Sequence, residues 1–235
     1  MYLTRFRFNT ARTGARRLLT SPQILHATVM QSFAHAPAPP DGNSPRVLWR
    51  LDRNASSQVL LYIVSPDRPD LTHIVEQAGW PTTGSWDTFA YTPFLDKLKT
   101  GDIWTFRLTA NPVHSIRTKE GEPTKRTAHI TVHHQLGWLL KQQERAGFTI
   151  CEQPEELPRP TQDDMYQVVV RDRRSLDFAK TDPTRSRKNN VQILTVTYDG
   201  RLRIDDAEKV RAALTSGLGK AKAYGCGLMT LAPAQ

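Results

Sequence analysis

The stretch Gly217-Leu218-Gly219-Lys220-Ala221-Lys222-Ala223-Tyr224-Gly225-Cys226-Gly227 places four glycines among eleven residues. It follows a predicted helix and leads into a predicted strand. Glycine lets a backbone come close to a phosphate and turn its N–H groups toward it. Lys220 and Lys222 add positive charge within the same run. The chemistry this suits is anion binding, although the same composition also serves as a plain connection between a helix and a strand. It is not a Walker loop, because it lacks the Gly-Lys-Ser/Thr ending and does not open a helix.

Among the histidines, His26 is the candidate for proton transfer. It falls in the first turns of a helix predicted to start at Ser21-Pro22. A helix N-terminus suits an anionic phosphate, and an imidazole exchanges protons near neutral pH. On a helical wheel His26 lies about 20° beyond Phe33, at the edge of the stripe of Leu25, Val29 and Phe33. A half-buried packing histidine is therefore the competing reading. His129 and His133 have a zinc-compatible i, i+4 spacing with His134 beside them, but no cysteine or carboxylate nearby completes a set. No metal and no other cofactor is expected. His73 and His114 read as surface residues.

Charge points the same way. Lys and Arg number 32 against 23 Asp and Glu, a formal net charge of +9. Basic chains attract polyanions, of which nucleic acid is the commonest. Residues 1–20 contain Arg5, Arg7, Arg12, Arg16 and Arg17 and no acid. Residues 171–188 contain Arg171, Arg173, Arg174, Lys180, Arg185, Arg187 and Lys188 against Asp172, Asp177 and Asp182, while acids gather at Glu152, Glu155, Glu156, Asp163 and Asp164. The basic segment 171–188 lies between two predicted strands, so it reads as a long hairpin that presents arginines to RNA or as a solvated loop. The expected RNA contacts are Arg16, Arg17, Lys125, Arg126, Arg171, Arg173, Arg174, Arg185, Arg187, Lys188, Gly217, Gly219, Lys220 and Lys222. Lys119 extends the same surface.

The elements that must position these residues follow from periodicity. Residues 2–8 alternate as a strand, and a polar, Arg-rich loop is expected after it. Ser21 caps a helix running to about Phe33, and the Pro-rich stretch 36–45 is a loop. Strands are predicted at 46–52 and 58–64. A helix then starts at Asp70 and closes at Gly79, and an extended piece spans 86–91. The second half repeats the order: a strand at 102–109, a helix at 134–147, and strands at 165–170 and 191–198. Asp199-Gly200 reads as a hairpin turn. Asp205 with Glu208 resembles a capping box for a helix ending at Gly217, and a last strand covers 227–233. This β-α-β-β-α-β order, twice over, predicts an α+β fold of two tandem ferredoxin-like (RRM-like) domains. The expected division is residues 1–95, with the catalytic helix, and residues 96–235, with the basic hairpin and the glycine-rich loop.

The string from Gly217 to Pro233 resembles the glycine-rich C-terminal signature of the CasE family, the CRISPR endoribonucleases of type I-E systems. Tyr2-Leu3-Thr4-Arg5, Leu108-Thr109-Ala110-Asn111-Pro112 and Tyr198-Asp199-Gly200-Arg201-Leu202 also match, in the right order over almost the whole chain. The resemblance implies two ferredoxin-like domains and metal-free cleavage of precursor CRISPR RNA at the 3′ base of a repeat hairpin. It also implies retention of the product and assembly with the other subunits of Cascade, and it puts the catalytic histidine at His26. The family pattern can have a tyrosine three residues before that histidine and a lysine five after it; here these are Gln23 and Gln31. The second catalytic group stays open, with His35 and Tyr224 as substitutes.

Other classes fit less well. No RNP1-like Gly-Phe-Gly-Phe-Val run marks a base-stacking RRM, and no nucleotide fingerprint marks a small-molecule enzyme. A non-catalytic RNA-binding or structural subunit of a CRISPR ribonucleoprotein is the alternative. The longest apolar run, Val59–Val64, is far below the roughly 18 residues a membrane helix needs. With two cysteines and no CxxC pair, the chain is expected to be cytoplasmic, to contact no membrane and to be a monomer when free.

Overall fold

Strand β1 (Tyr2–Phe8) buries Thr4, Phe6 and Phe8 and exposes Arg5 and Arg7, as its alternation requires. In a computed structural model, which describes residues 1–35, 44–54, 58–80, 86–116, 124–154, 156, 162–181 and 188–234, β1 lies inside the first of two large sheets. It pairs antiparallel with β3 (Val59–Ser65) on one side and β4 (Trp86–Ala90) on the other. With β2 (Leu48–Arg53) the sheet order is β2-β3-β1-β4, the ferredoxin-like arrangement. Helices α1 (Thr13–Thr20), α2 (Pro22–Met30) and α3 (Thr72–Ala78) accompany it, and α4 (Thr92–Lys97) follows β4.

Phe6, Phe8, Leu18, Leu25, Val29, Leu61, Ile63 and Ile74 form one continuous core beneath this sheet. Helix α1 corrects the expected Arg-rich loop. Ala15 and Leu18, three residues apart, are buried, and arginine is a good helix former on the exposed face. The Arg12 guanidinium donates to the carbonyls of Val75 and Gly79 at 3.3 Å, tying the start of α1 to the end of α3.

The second sheet uses β5 (Ile103–Ala110), β8 (Phe148–Ile150), β9 (Val168–Thr181), β10 (Lys188–Ile204) and β11 (Met229–Pro233). Its order is β11-β5-β10-β8, with β9 also paired to β10. A separate hairpin, β6 (Val113–Ile116) with β7 (Lys125–Ala128), precedes α5 (Val132–Leu140) and α6 (Gln143–Ala146), and α7 (Ala207–Ser216) leads into the glycine-rich segment.

Three expectations change here. The single helix at 134–147 is two helices. The N-cap of α7 is Asp206, which accepts the Lys209 N–H at 3.1 Å, instead of Asp205. Asp199-Gly200 is no turn but the middle of β10, paired with Arg107 and Phe106 of β5 and with Val169 and Val168 of β9. Gly200 is needed there for close approach, because a Cβ would come within 2.4 Å of the Gln167 carbonyl oxygen.

The two sheets share a core and a polar seam. Leu48 and Val64 of the first sheet cluster with Phe106, Leu108, Tyr198 and Leu202 of the second, with Leu214 of α7 and with Leu228 just before β11. Arg50 is 2% exposed. It donates to both carboxylate oxygens of Asp52 at 2.7 and 3.0 Å, to the carbonyls of Arg107 and Leu228 at 2.8 and 3.0 Å, and to Thr230 at 2.9 Å. Arg107 in turn bridges Asp52 and Asp199, and Arg171 of β9 reaches Asp199 at 2.6 Å. This chain of alternating charges satisfies groups that would otherwise be buried without partners.

Candidate functional site

His26 sits in the second turn of α2. Ser21 starts the helix by accepting the Ile24 N–H at 3.3 Å, and Pro22 follows it. Leu25, Thr28 and Val29 anchor the buried face, which leaves His26 half-buried at its edge. The indole N–H of Trp49 donates to Nδ1 of His26 at 3.3 Å. A nitrogen that accepts cannot also carry a proton, so the neutral ring holds its hydrogen on Nε2. Burial lowers the pKa of His26 from its ordinary value. The Trp49 donor acts in the same direction, because it requires an unprotonated Nδ1.

Trp49 itself is buried on β2, and the glycine-rich segment holds it there. Gly225 has φ of +80°, and a Cβ at that position would meet the Trp49 ring at 2.6 Å. Only glycine combines that backbone with that contact. The short 3-10 turn Lys222–Tyr224 just before it packs on α2 and β2. The sequence run read as an anion cradle therefore also locks the ring that orients His26. Tyr224 lines a cavity of about 140 Å³ with Pro22 and Leu25 of α2, Trp49, and the polar groups Arg53, Asp172 and Arg174. Its ring lies 4.8 Å from that of Phe178 on β9. His35 is exposed beyond the end of α2.

The basic segment is a long hairpin in its described part, with β9 and β10 paired from Val168 and Gly200 out to Thr181 and Lys188. Asp172 adopts a φ of +52°, near the register shift between Thr195 and Thr197. The three described arginines differ. Arg174 is exposed beside Arg53, whose pKa falls through burial and then through the nearby Arg174 charge. Arg173 is exposed and reaches the Ile130 carbonyl at 3.1 Å. Arg171 turns inward onto Asp199 and Asp172. Lys188 opens β10, and Arg185, Arg187 and Lys119 lie outside the described residues.

Other expected contacts fall into two groups. Arg16 and Arg17 are exposed on α1. Arg126, Gly217, Gly219, Lys220 and Lys222 line one open cleft of about 750 Å³, together with Arg46, Arg145 and Lys209. Lys125 is exposed next to Arg126 on β7. The Lys222 ammonium donates to the Ser216 carbonyl at 2.7 Å. Burial, with Arg46, Arg145 and Lys220 nearby, pushes its pKa down to about 8.

His114, His129 and His134 stack in a row, with centroids 4.4 and 5.7 Å apart. Among the described residues no group of three or more His, Cys, Asp or Glu side chains has the arrangement of a metal site. Sequence reasoning missed Trp49, Arg46 and Arg145. Trp49 gave no signal beyond an aromatic residue in a strand.

The family model described as "CRISPR associated protein" matches residues 1–233. The chain is 29% identical over 235 residues to the CRISPR-associated endoribonuclease Cse3 of Thermus thermophilus, covering 99% of this chain and 100% of that one. It is 26% identical over 198 residues to the CRISPR system Cascade subunit CasE of Escherichia coli, covering 79% of this chain and 88% of that one. The solved structure of Thermus thermophilus Cse3 bound to an RNA representing a pre-cleavage complex superposes with a TM-score of 0.73 at 27% identity, over 99% of this chain and 98% of the other.

Proposed function

The chain belongs to the CRISPR-associated protein family, and from that premise we propose that it is an endoribonuclease that cuts precursor CRISPR RNA at the 3′ base of a repeat hairpin. It keeps the mature product and joins the other Cascade subunits. The observation that carries this reading is His26: a half-buried imidazole whose Nδ1 accepts from Trp49, so that Nε2 carries the ring proton. Relatives named as an endoribonuclease and as a Cascade subunit support it. The chain divides into residues 1–95, which carry the catalytic helix, and residues 96–235, which carry the hairpin and the cleft.

The chemistry needs no metal, because the attacking group belongs to the RNA. The 2′-OH next to the scissile phosphate attacks phosphorus, the bond to the 5′-oxygen of the next nucleotide breaks, and the products are a 2′,3′-cyclic phosphate and a 5′-OH. A phosphate arriving at Nε2 favours the imidazolium form of His26, with Trp49 giving way at Nδ1. His26 then protonates the departing 5′-oxygen. Tyr224 stands nearest in role for the proton of the 2′-OH, since its turn packs on α2. The exposed basic residues on α1, β7, β9 and the glycine-rich segment meet the phosphates. A-form RNA hides its base edges in a deep, narrow groove, so recognition by shape and phosphate contact is expected.

A second reading, an RNA-binding subunit that does not cut, draws on Gln23 and Gln31, where the family pattern can have tyrosine and lysine. One variant decides between them. A positioned general acid or base contributes about 10²–10⁴ in rate, so His26→Ala should lose that much single-turnover cleavage and keep hairpin affinity and thermal midpoint. If the variant cuts at the wild-type rate, His26 is not catalytic; if the wild type binds but never cuts, the second reading stands.

A further inference from the structure

The cleft of about 750 Å³ is a second site, set apart from the cavity beside α2. It collects cations from separate stretches of chain: Arg46 before β2, Arg126 on β7, Arg145 on α6, Lys209 on α7, and Lys220 and Lys222 in the glycine-rich segment. No carboxylate is among its described lining residues. Lys209 pairs with Asp206 at 3.4 Å, and Lys222 is held by the Ser216 carbonyl. Positive charges from five stretches of chain facing one open space repel one another, and an anion in that space relieves the repulsion.

The rim adds a stacking surface. His114 lines the cleft and stacks on His129, with centroids 4.4 Å apart and planes 26° apart. His129 continues the row to His134. Positive charge along a groove with flat rings at its edge is the arrangement that tracks single-stranded nucleic acid, with phosphates on the cations and bases on the rings. A duplex offers its phosphates but keeps its base faces stacked inside, where the imidazoles cannot reach them.

One stretch of chain separates this cleft from the proposed cutting site. Ala223 lines the cleft, while Tyr224 and Gly225 line the cavity shared with Trp49 and α2. The glycine-rich segment is therefore the ridge that a strand leaving a hairpin bound beside α2 would cross to reach the cleft. We propose that the cleft bounded by Arg126, Arg145, Lys220 and Lys222 binds the single-stranded RNA that leaves the hairpin's foot, with a base stacked on His114. The inference rests on the hairpin-cleavage reading and adds the place and chemistry of the flanking strand.

The test uses the full chain and three RNAs made uncleavable by a 2′-deoxy nucleotide at the cut: a minimal hairpin, one extended at the 5′ foot and one extended at the 3′ foot. The proteins are wild type, Arg145→Glu and His114→Ala. Base stacking alone is worth roughly fivefold or more per base, so one of the two extensions should tighten wild-type binding by at least about that factor; which one names the strand. Both variants should lose that gain while binding the minimal hairpin, and cutting its all-ribose form, as wild type does. His114→Ala removes the ring without introducing an acid, which separates stacking from charge repulsion. The inference is overturned if neither extension tightens binding, if the gain survives in both variants, or if the variants weaken the minimal hairpin equally, which would make the cleft a duplex site. An unchanged RNA series with lost assembly into the complex would make it a protein-docking face instead. If wild type neither binds nor cuts the minimal hairpin, the functional reading itself has failed.

Discussion

Two influences restrict the proton of His26. Burial disfavours its charged form, and the Trp49 indole asks for a bare Nδ1. Its pKa in the folded chain is therefore below the ordinary value of about 6.5. Nuclear magnetic resonance titration of the free protein should find His26 charging only below that value. Trp49→Phe, which keeps an aromatic ring and removes the donor, should move the midpoint upward. The sign for stability follows from linkage. The unfolded chain takes up this proton first, so the contribution of His26 is present above the ordinary value and is lost as pH falls toward the lowered one. A His26 midpoint at or above the ordinary value, unchanged by Trp49→Phe, would remove Trp49 from the account. The candidate histidine was legible in the sequence through its helix position and the resemblance of the signature. Trp49 was not, since the contact joins residues 23 positions apart across two elements, and no local spacing encodes it.

At the scale of elements, the strands and most helices were legible because alternation and the i, i+4 stripe reflect burial on one face. The misses share a cause: the deciding contact is remote in sequence. Asp199-Gly200 carries the composition of a turn, yet β5 and β9 flank it on both sides and extend it. The Arg-rich stretch after β1 folds as α1 because Ala15 and Leu18 find a core that its polar composition hides. Arg171, expected to meet RNA, also pairs with Asp199 of the seam, a contact its composition does not announce. That seam makes its own prediction. Arg50→Ala strips Asp52, itself 10% exposed, of its bidentate partner and leaves the Leu228 carbonyl without its Arg50 donor. Breaking such a buried pair costs about 3–5 kcal/mol. Denaturant unfolding should show the midpoint falling with little change in slope; a midpoint equal to wild type would mean the seam holds nothing.

At the scale of the whole molecule, the two ferredoxin-like sheets act as a frame that brings α2, the basic hairpin and the glycine-rich segment to adjacent surfaces. Among the described residues no helix is long and apolar enough to cross a membrane. The net charge of +9 is concentrated where RNA is expected, so binding should weaken steeply with salt. Roughly 6–10 phosphate contacts cost on the order of 10³–10⁵ in affinity between about 50 and 200 mM salt on duplex DNA, and a hairpin RNA should follow in the same direction with a shallower slope. Affinity that stays flat over that range would refute the electrostatic footprint. The central claim, that this chain cuts RNA by using the RNA's own hydroxyl, has a more direct test. Purified protein is mixed in EDTA with a labelled repeat hairpin, either all-ribose or carrying one 2′-deoxy nucleotide just before the scissile phosphate, and the product ends are identified. The account predicts a single cut of the all-ribose hairpin that leaves a 2′,3′-cyclic phosphate and a 5′-OH, and an intact 2′-deoxy hairpin. Cutting that stops in EDTA and returns with a divalent ion, or a 2′-deoxy hairpin cut as fast as the all-ribose one, would contradict it.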